Sequence, residues 1–309
     1  MSIHYLITGG LGFIGSNLSR RLIEKGYQVT ILDDRSTPVV NQVDGAQLLV
    51  VDLTNQEAVE KFKVPSADIM ILPGGPTSGP ESASDPVGTI TRGYTATLSA
   101  LQLALKAGAR KIIHTSSMVV YGAIEPARLP AKETEPMIPT SNYGVMKLAN
   151  ERLIDIYCTE KGLSFNNLRL FNVYGPGQDL TRFDSGIVSI FLAQLLKSPK
   201  VEVRGSLDRF RDIVHVDDVV DAAILAACTD CRSGPVNVGY GESITVGDMI
   251  RTVSEALGLT NQLEIDVRPG TPGDQQWICA DVTRLQEWLG FTPKVNPAKG
   301  IKDFANSAR

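Results

Sequence analysis

The sequence predicts an α/β fold: a Rossmann-type doubly wound parallel sheet with a smaller, discontinuous α/β lobe. Three observations lead there. Short β-rich runs alternate with longer helical ones from residue 1 to about 170, glycines cluster at the first strand-to-helix turn, and beyond residue 172 Gly and Pro punctuate shorter elements. The candidate strands are Ile3 to Thr8, Gln28 to Asp33, Ala46 to Asp52, Ile69 to Leu72, Lys111 to Ser116 and Asn166 to Phe171. Each is short and apolar, as in parallel strands covered on both faces, where no polar alternation survives. Helical stretches are clearest at Ser16 to Lys25, Thr91 to Ala107 and Tyr143 to Glu160, with Gly26 and Gly108 placed as left-handed caps. Gly175-Pro176-Gly177, Ser198-Pro199, Gly234-Pro235 and Pro269 to Gly273 mark the second lobe. With no low-complexity linker and no internal repeat, the two lobes are expected to share a cleft at the carboxyl ends of the strands.

At 309 residues, with 43% hydrophobic and 21% charged residues, the chain has the composition of a globular protein with one large core or two joined ones. A net charge of −4 argues against an extended basic face for nucleic acid, so any phosphate site must be local. No apolar run approaches a membrane span, and Met1 leads into an apolar strand without a signal-peptide pattern; the expected location is the cytoplasm, with no membrane partner. Cys228-Thr229-Asp230-Cys231 has a suggestive spacing, but it lacks the second pair or nearby His of a zinc site and closes a helix, Ala222 to Cys231, rather than opening one. No metal is expected. His4, His114 and His215 stand singly among apolar residues and read as core or surface histidines.

Gly9-Gly10-Leu11-Gly12-Phe13-Ile14-Gly15 follows the first strand and opens the first helix. Glycine there allows a tight turn and lets backbone N–H groups at the positive helix end approach a pyrophosphate. Asp33, at the end of the second strand, can accept bonds from ribose hydroxyls and would repel a 2′-phosphate, which favours NAD; Arg35 nearby blurs that choice. Asp52-Leu53, after the third strand, is placed to meet an adenine ring.

Thr115-Ser116-Ser117 ends the fifth strand at the same sheet edge, and Tyr143-Gly144-Val145-Met146-Lys147 puts a phenol and an ammonium on one helix face. Lys147 is expected to favour the phenolate of Tyr143, which can then take a proton from a hydroxyl that Ser117 also bonds.

With glycine loop, serine, tyrosine and lysine in that order, the chain resembles the extended short-chain dehydrogenase/reductase family, and within it the nucleotide-sugar epimerases, dehydratases and decarboxylases. Leu168 to Pro176 resembles the segment whose Asn touches the sugar nucleotide, and Arg211 to Asp218 the segment whose Arg binds the diphosphate. Asn237-Val238-Gly239 and Arg268 to Asp274 resemble two further pieces of the substrate lobe. The resemblance implies Ser117, Tyr143 and Lys147 as catalytic residues. It implies NAD contacts from Gly9, Gly12, Phe13, Ile14 and Gly15, from Asp33, Asp52, Leu53 and Leu72, and from Ser116, Phe171, Tyr143 and Lys147. Substrate contacts would come from Ser84, Ser117, Asn172, Arg211 and Arg268, although the stretch after Arg268 is longer than the shortest family versions. Residues 1–171, with 212–238 returning to them, would form the NAD-binding domain, and 172–211 with 239–309 the nucleotide-sugar lobe.

The chain departs from the family at Leu72-Pro73-Gly74-Gly75-Pro76 and at Gly93, which stands where an Asn is usual. The Gly, Pro and Ser content of Gly74 to Ser84 predicts a mobile loop that closes over the sugar. After Ser117 come Met118 and Val119, where relatives that eliminate or decarboxylate carry carboxylates, and no Cys stands near the serine loop as in the 3,5-epimerase/reductases. What remains resembles the UDP-galactose 4-epimerases: oxidation at carbon 4, rotation of a 4-keto sugar and return of hydride to its other face. A 4-ketoreductase or 4-dehydrogenase shares every catalytic residue. A dehydratase or decarboxylase is a further alternative, and a non-catalytic NAD sensor is an alternative of another class. Apolar residues on several faces of two helices, among them Leu98, Leu101, Leu105, Leu148, Leu153 and Ile156, add an expected homodimer through a four-helix bundle, as in relatives.

Overall fold

The computed structural model describes the chain except for residues 1, 76–78, 183–185, 231 and 271–274 and the side chains of 79–81. Along the first part of the chain lie β1 (His4–Thr8), α1 (Phe13–Glu24), β2 (Gln28–Asp33), β3 (Gln47–Val50), α2 (Gln56–Lys61), β4 (Ile69–Leu72), α3 (Gly79–Ser84), α4 (Pro86–Ala107), β5 (Lys111–Ser117), α5 (Asn142–Lys161) and β6 (Ser164–Leu170). Then follow β7 (Asn172–Tyr174), α6 (Ile187–Lys197), β8 (Lys200–Arg204), β9 (Phe210–His215), α7 (Val216–Cys228) and β10 (Gly234–Val238). The chain ends with β11 (Ser243–Thr245), α8 (Val246–Leu257), β12 (Glu264–Arg268), β13 (Trp277–Ile278), α9 (Thr283–Leu289) and α10 (Pro297–Ser307).

Seven parallel strands form the main sheet in the order β10-β6-β5-β4-β1-β2-β3. The fold is thus the doubly wound α/β type, with the order reversing between β1 and β4, the point where such sheets bind nucleotides. One face buries a core from α1, α7 and α9; the other packs β4 and β5 against α4 and α5. These strands carry large apolar side chains on both faces, with Tyr5, Leu6 and Ile7 all fully buried in β1.

A second core lies among α6, α8 and α10. Beside it, β9 bridges β11, β13 and β7, while β8 pairs in parallel with β12. The chain leaves the main sheet after β6, builds β7 to β9, and returns through α7 to place β10 beside β6.

Three local expectations change. The stretch expected as a mobile loop is helical from Gly79, and Asn142 at the start of α5 donates to the Ser82 carbonyl at 3.1 Å; residues 76–78 of that stretch lie outside the described residues. The edge strand β3 is shorter than Ala46 to Asp52, because beyond Val50 there is no further neighbour to pair with. Helix α7 stops at Cys228, where Thr229 turns extended, and Cys231 lies outside the described residues.

Candidate active site

At the turn after β1, Gly9 has φ +58° and a Cβ there would stand 2.6 Å from Gly74 Cα; a Cβ on Gly15 would stand 2.2 Å from the Gly9 carbonyl oxygen. Only glycine permits this packing. Helix α1 begins after Gly12, which supplies no side-chain cap, so its first N–H groups lack intrahelical partners and face the loop as a pyrophosphate cradle would require. Asp33 ends β2 nearly buried; its carboxylate accepts from Leu11 N at 3.1 Å and Arg35 N at 2.7 Å, bracing the glycine loop from below. Phe13 and Ile14 open α1, half-buried. The residues present therefore fit a dinucleotide.

The other expected cofactor residues divide by how they are held. Asp52 caps its own turn, accepting from Thr54 N at 2.8 Å and Thr54 Oγ1 at 2.7 Å, beside half-buried Leu53. Leu72 ends β4 with its side chain in the core, and Phe171 is fully buried with Val120, Tyr121 and Ile278. The Ser116 hydroxyl donates to Glu151 at 2.5 Å, so only the backbone of Ser116 remains for a ligand.

Ser117 is the last residue of β5, and its hydroxyl caps the 3₁₀ turn Met118–Tyr121, accepting from Val119 N at 3.4 Å. It reaches Tyr143 in the first turn of α5: burial pushes that phenol up to about 12, and the hydrogen bond with Ser117 opposes the rise. Ser141 caps α5, accepting from Gly144 N at 3.1 Å, which fixes where Tyr143 emerges.

Lys147 sits one turn on, buried, with Nζ donating to the Thr115 carbonyl at 2.8 Å and lying 5.9 Å from the centre of the Tyr143 ring. Burial brings its ammonium down to about 8, and the Glu151 carboxylate opposes that fall. Nζ of Lys147 is turned toward β5, and burial is the leading influence on the Tyr143 phenol. His114, beside them on β5, is a core histidine. Its Nδ1 pairs with Asn167 Oδ1 at 2.9 Å, and burial together with the Lys147 charge holds it down at about 3.

On the second lobe, Asn172 Nδ2 donates to the Asp212 carbonyl at 2.7 Å, while buried Arg211 donates to the carbonyls of Phe210 at 3.0 Å and Gln276 at 3.1 Å. Pairing of β7 with β9 sets Asn172 opposite Ile213, two residues along β9 from Arg211. Ser84 is exposed at the end of α3. Arg268 is not brought to them: it is exposed, ion-paired with Asp266 at 2.7 Å, and lines a separate 420 Å³ cavity with Gln194, Lys197, Ser198, Lys200 and Glu202. The backbone of Arg268 is paired with Arg204 at the end of the β12–β8 ladder.

Sequence reasoning missed the groups beneath the site. Asp212, wholly buried, accepts from the amides of Tyr240 at 2.7 Å, Gly241 at 3.0 Å and Ala280 at 3.0 Å, and burial raises its carboxyl to about 6. Arg169 on β6, 2% exposed, binds Glu151 through Nε and Nη2 and Tyr121 through Nη1. A charged residue inside an apolar strand, and a Glu four residues after Lys147, were the signals available.

The NAD dependent epimerase/dehydratase family matches residues 5–239. A putative UDP-glucose 4-epimerase of Methanocaldococcus jannaschii is 31% identical over 303 residues, covering 97% of this chain and 97% of its own. Among solved structures, UDP-glucose 4-epimerase of Thermotoga maritima with UDP-glucose superposes with a TM-score of 0.93 at 31% identity, covering 99% of both chains. That of Thermus thermophilus in complex with NAD gives 0.86 at 30% identity over 98% of both. With glycine turn, sheet order and the Ser117, Tyr143 and Lys147 cluster in place, the chain is an enzyme of the NAD dependent epimerase/dehydratase family, and NAD is its cofactor.

Proposed function

We infer that the protein is a nucleoside-diphosphate-sugar 4-epimerase, acting on a UDP-hexose or UDP-N-acetylhexosamine through a transient 4-keto sugar. One observation carries the reading: Ser117 closes β5 beside Tyr143 and buried Lys147 in the first turns of α5, while the turn that follows holds Met118 and Val119 where a second acid or base would have to stand. NAD, when bound, supplies a hydride acceptor and an added positive charge. Tyr143 takes the proton of the 4-hydroxyl and returns it, and Ser117 bonds the same oxygen. Lys147 holds the nicotinamide ribose and stabilises the phenolate. Gly9, Gly12, Phe13, Ile14 and Gly15 cradle the pyrophosphate, with Asp33, Asp52 and Leu53 toward the adenosine; Asn172 and Arg211 grip the substrate diphosphate. Met118 and Val119 cannot move a proton, so the ketose has no route to elimination or decarboxylation and is reduced again.

Purified protein incubated with UDP-sugars and followed by NMR is expected to interconvert C4 epimers without added nucleotide; net accumulation of a keto sugar or consumption of added NADH would replace this reading with a dehydrogenase or ketoreductase. Tyr143→Phe is expected to lose activity by roughly 10²–10⁴-fold.

A homodimer through α4 and α5 belongs to the same proposal. Val87, Tyr94 and Leu105 on α4 and Val145 and Ile156 on α5 are exposed, Val87 at 75% and Ile156 at 61%, although Leu101 proves to be core. Spacings of seven and eleven residues put each set on one helix face. Light scattering at micromolar concentration is expected to return twice the chain mass. Among the described residues no helix is long and apolar enough to cross a membrane, and a cytoplasmic location is proposed with the activity. The division into a NAD-binding domain of 1–171 with 212–238, and a sugar-nucleotide lobe of 172–211 with 239–309, is likewise proposed.

A further inference from the structure

We propose that Glu151 is a positioning residue for this chemistry: its buried carboxylate ties the end of β5 through Ser116 and stands one helical turn from Lys147, so that one side chain bears on both the place of Ser117 and the charge beside Tyr143. The proposal rests on the catalytic reading of Ser117, Tyr143 and Lys147 given above. Glu151 is 4% exposed and one helical turn beyond Lys147, on the same face of α5. It accepts from Ser116 Oγ at 2.5 Å, and Ser116 precedes Ser117 in the chain. The remaining oxygen capacity is taken by Arg169, from Nε at 3.0 Å and Nη2 at 2.7 Å, and Arg169 is anchored in turn by Tyr121 Oη at 3.0 Å and the Glu133 carbonyl at 3.1 Å.

The carboxylate is thus fixed from β5, β6 and the serine turn at once. A buried ion pair of this kind is weak evidence for stability, which directs attention to what else its charge does. The groups that face Lys147 are few. On α5 they are Tyr143 and Glu151, and on β5 His114, held neutral by burial, and the Thr115 carbonyl; Arg169 of β6 joins them through Glu151, and Tyr121, whose phenol burial pushes up to about 12, through Arg169. Arg92 and Tyr94 of α4, the helix packed on α5, are exposed. Glu151 is the anion among them that opposes the loss of the Lys147 proton.

The test uses cofactor-free protein labelled with 15Nζ-lysine, the Lys147 resonance being identified by its loss in Lys147→Met. Removing Glu151 alone strands Arg169, so the Glu151 charge is removed in Glu151→Gln/Arg169→Met and compared with Arg169→Met, which lacks the same guanidinium but keeps the carboxylate. The midpoint of Lys147 is expected near 8 in the wild type and lower in the double variant than in Arg169→Met, with the alkaline limb of kcat moving the same way. Ser116→Ala, which keeps both charges, is expected to leave that midpoint in place and to lower kcat several-fold at unchanged KM. A midpoint in the double variant no lower than in Arg169→Met overturns the electrostatic role, and an unchanged kcat in Ser116→Ala overturns the positional one. Absence of epimerase activity in the wild type, with the midpoint still shifting, would sink the catalytic reading and leave the Glu151 to Lys147 coupling standing.

Discussion

Gly9 and Gly74 meet backbone to backbone across the reversal point of the sheet: a Cβ on Gly9 would stand 2.6 Å from Gly74 Cα, and a Cβ on Gly74 would stand 3.0 Å from Gly9 N. The Pro-Gly-Gly stretch after β4, unusual for the family, is therefore fitted to the nucleotide turn rather than to the sugar. Gly9→Ala adds both this clash and a left-handed φ of +58°. It is expected to cost on the order of 1–3 kcal/mol of stability and to weaken NAD binding at least tenfold, read by thermal unfolding and by titration calorimetry.

The gap at Gly93 is already filled. A Cβ there would lie 2.0 Å from Met146 Sδ, and Thr97 Oγ1 donates to the Gly93 carbonyl at 2.9 Å. Restoring the family residue with Gly93→Asn is expected to destabilise the chain by about 1–3 kcal/mol through overpacking. Met146→Ala in the same chain is expected to recover part of that loss, a coupling that a double-mutant cycle on urea midpoints measures.

Asp212 gives stability a pH dependence of known sign. Its carboxyl is raised from 3.8 to about 6 in the folded chain, so the native state holds that proton more tightly than the unfolded one. Its contribution is fully present below pH 3.8 and is lost as pH rises through about 6, a slope opposite to that of an ordinary salt-bridged Asp. In Asp212→Asn this slope should vanish, so the difference between wild-type and variant stability changes with pH across that window. At pH 7 the variant is expected to lose roughly 1–3 kcal/mol, because an amide NH₂ then faces backbone donors and leaves at least one without an acceptor.

Arg211 and Arg268 separate two places where a diphosphate could be held. Arg211 lies two residues along β9 from the partner of Asn172, whereas Arg268 is ion-paired with Asp266 on β12. Arg211→Ala is expected to weaken binding of a UDP-sugar by tenfold or more, and Arg268→Ala to change it less than twofold, both read by calorimetry on NAD-loaded protein.

The sheet was legible because short runs such as the fully apolar Ile69 to Leu72 and the β-branched, largely apolar Gln28 to Asp33 read as buried parallel strands, and both strands occupy those residues. The glycine turn was legible for the same reason, since no side chain fits there. Less could be read where the answer depends on which way a side chain turns. Lys147 and Tyr143 share a face as their spacing demands, yet Nζ bonds the Thr115 carbonyl and burial governs both groups. Arg169 and Glu151 stand 18 positions apart, and only the packing of α5 on β6 makes them one buried unit. Helix α3 was hidden in a Gly, Pro and Ser stretch because its support comes from α5, through Asn142 and Ser82, rather than from local propensity.

The return of β10 to the edge of the main sheet has a consequence for synthesis. Strand β6 ends at Leu170, but its neighbour β10 begins only at Gly234, after β7, α6, β8, β9 and α7 have been made. On the ribosome the main sheet thus carries an unpaired strand edge until roughly 60 further residues have emerged, and at about 5–20 residues per second that interval lasts several seconds. The main sheet cannot close its edge until that intervening segment has been made.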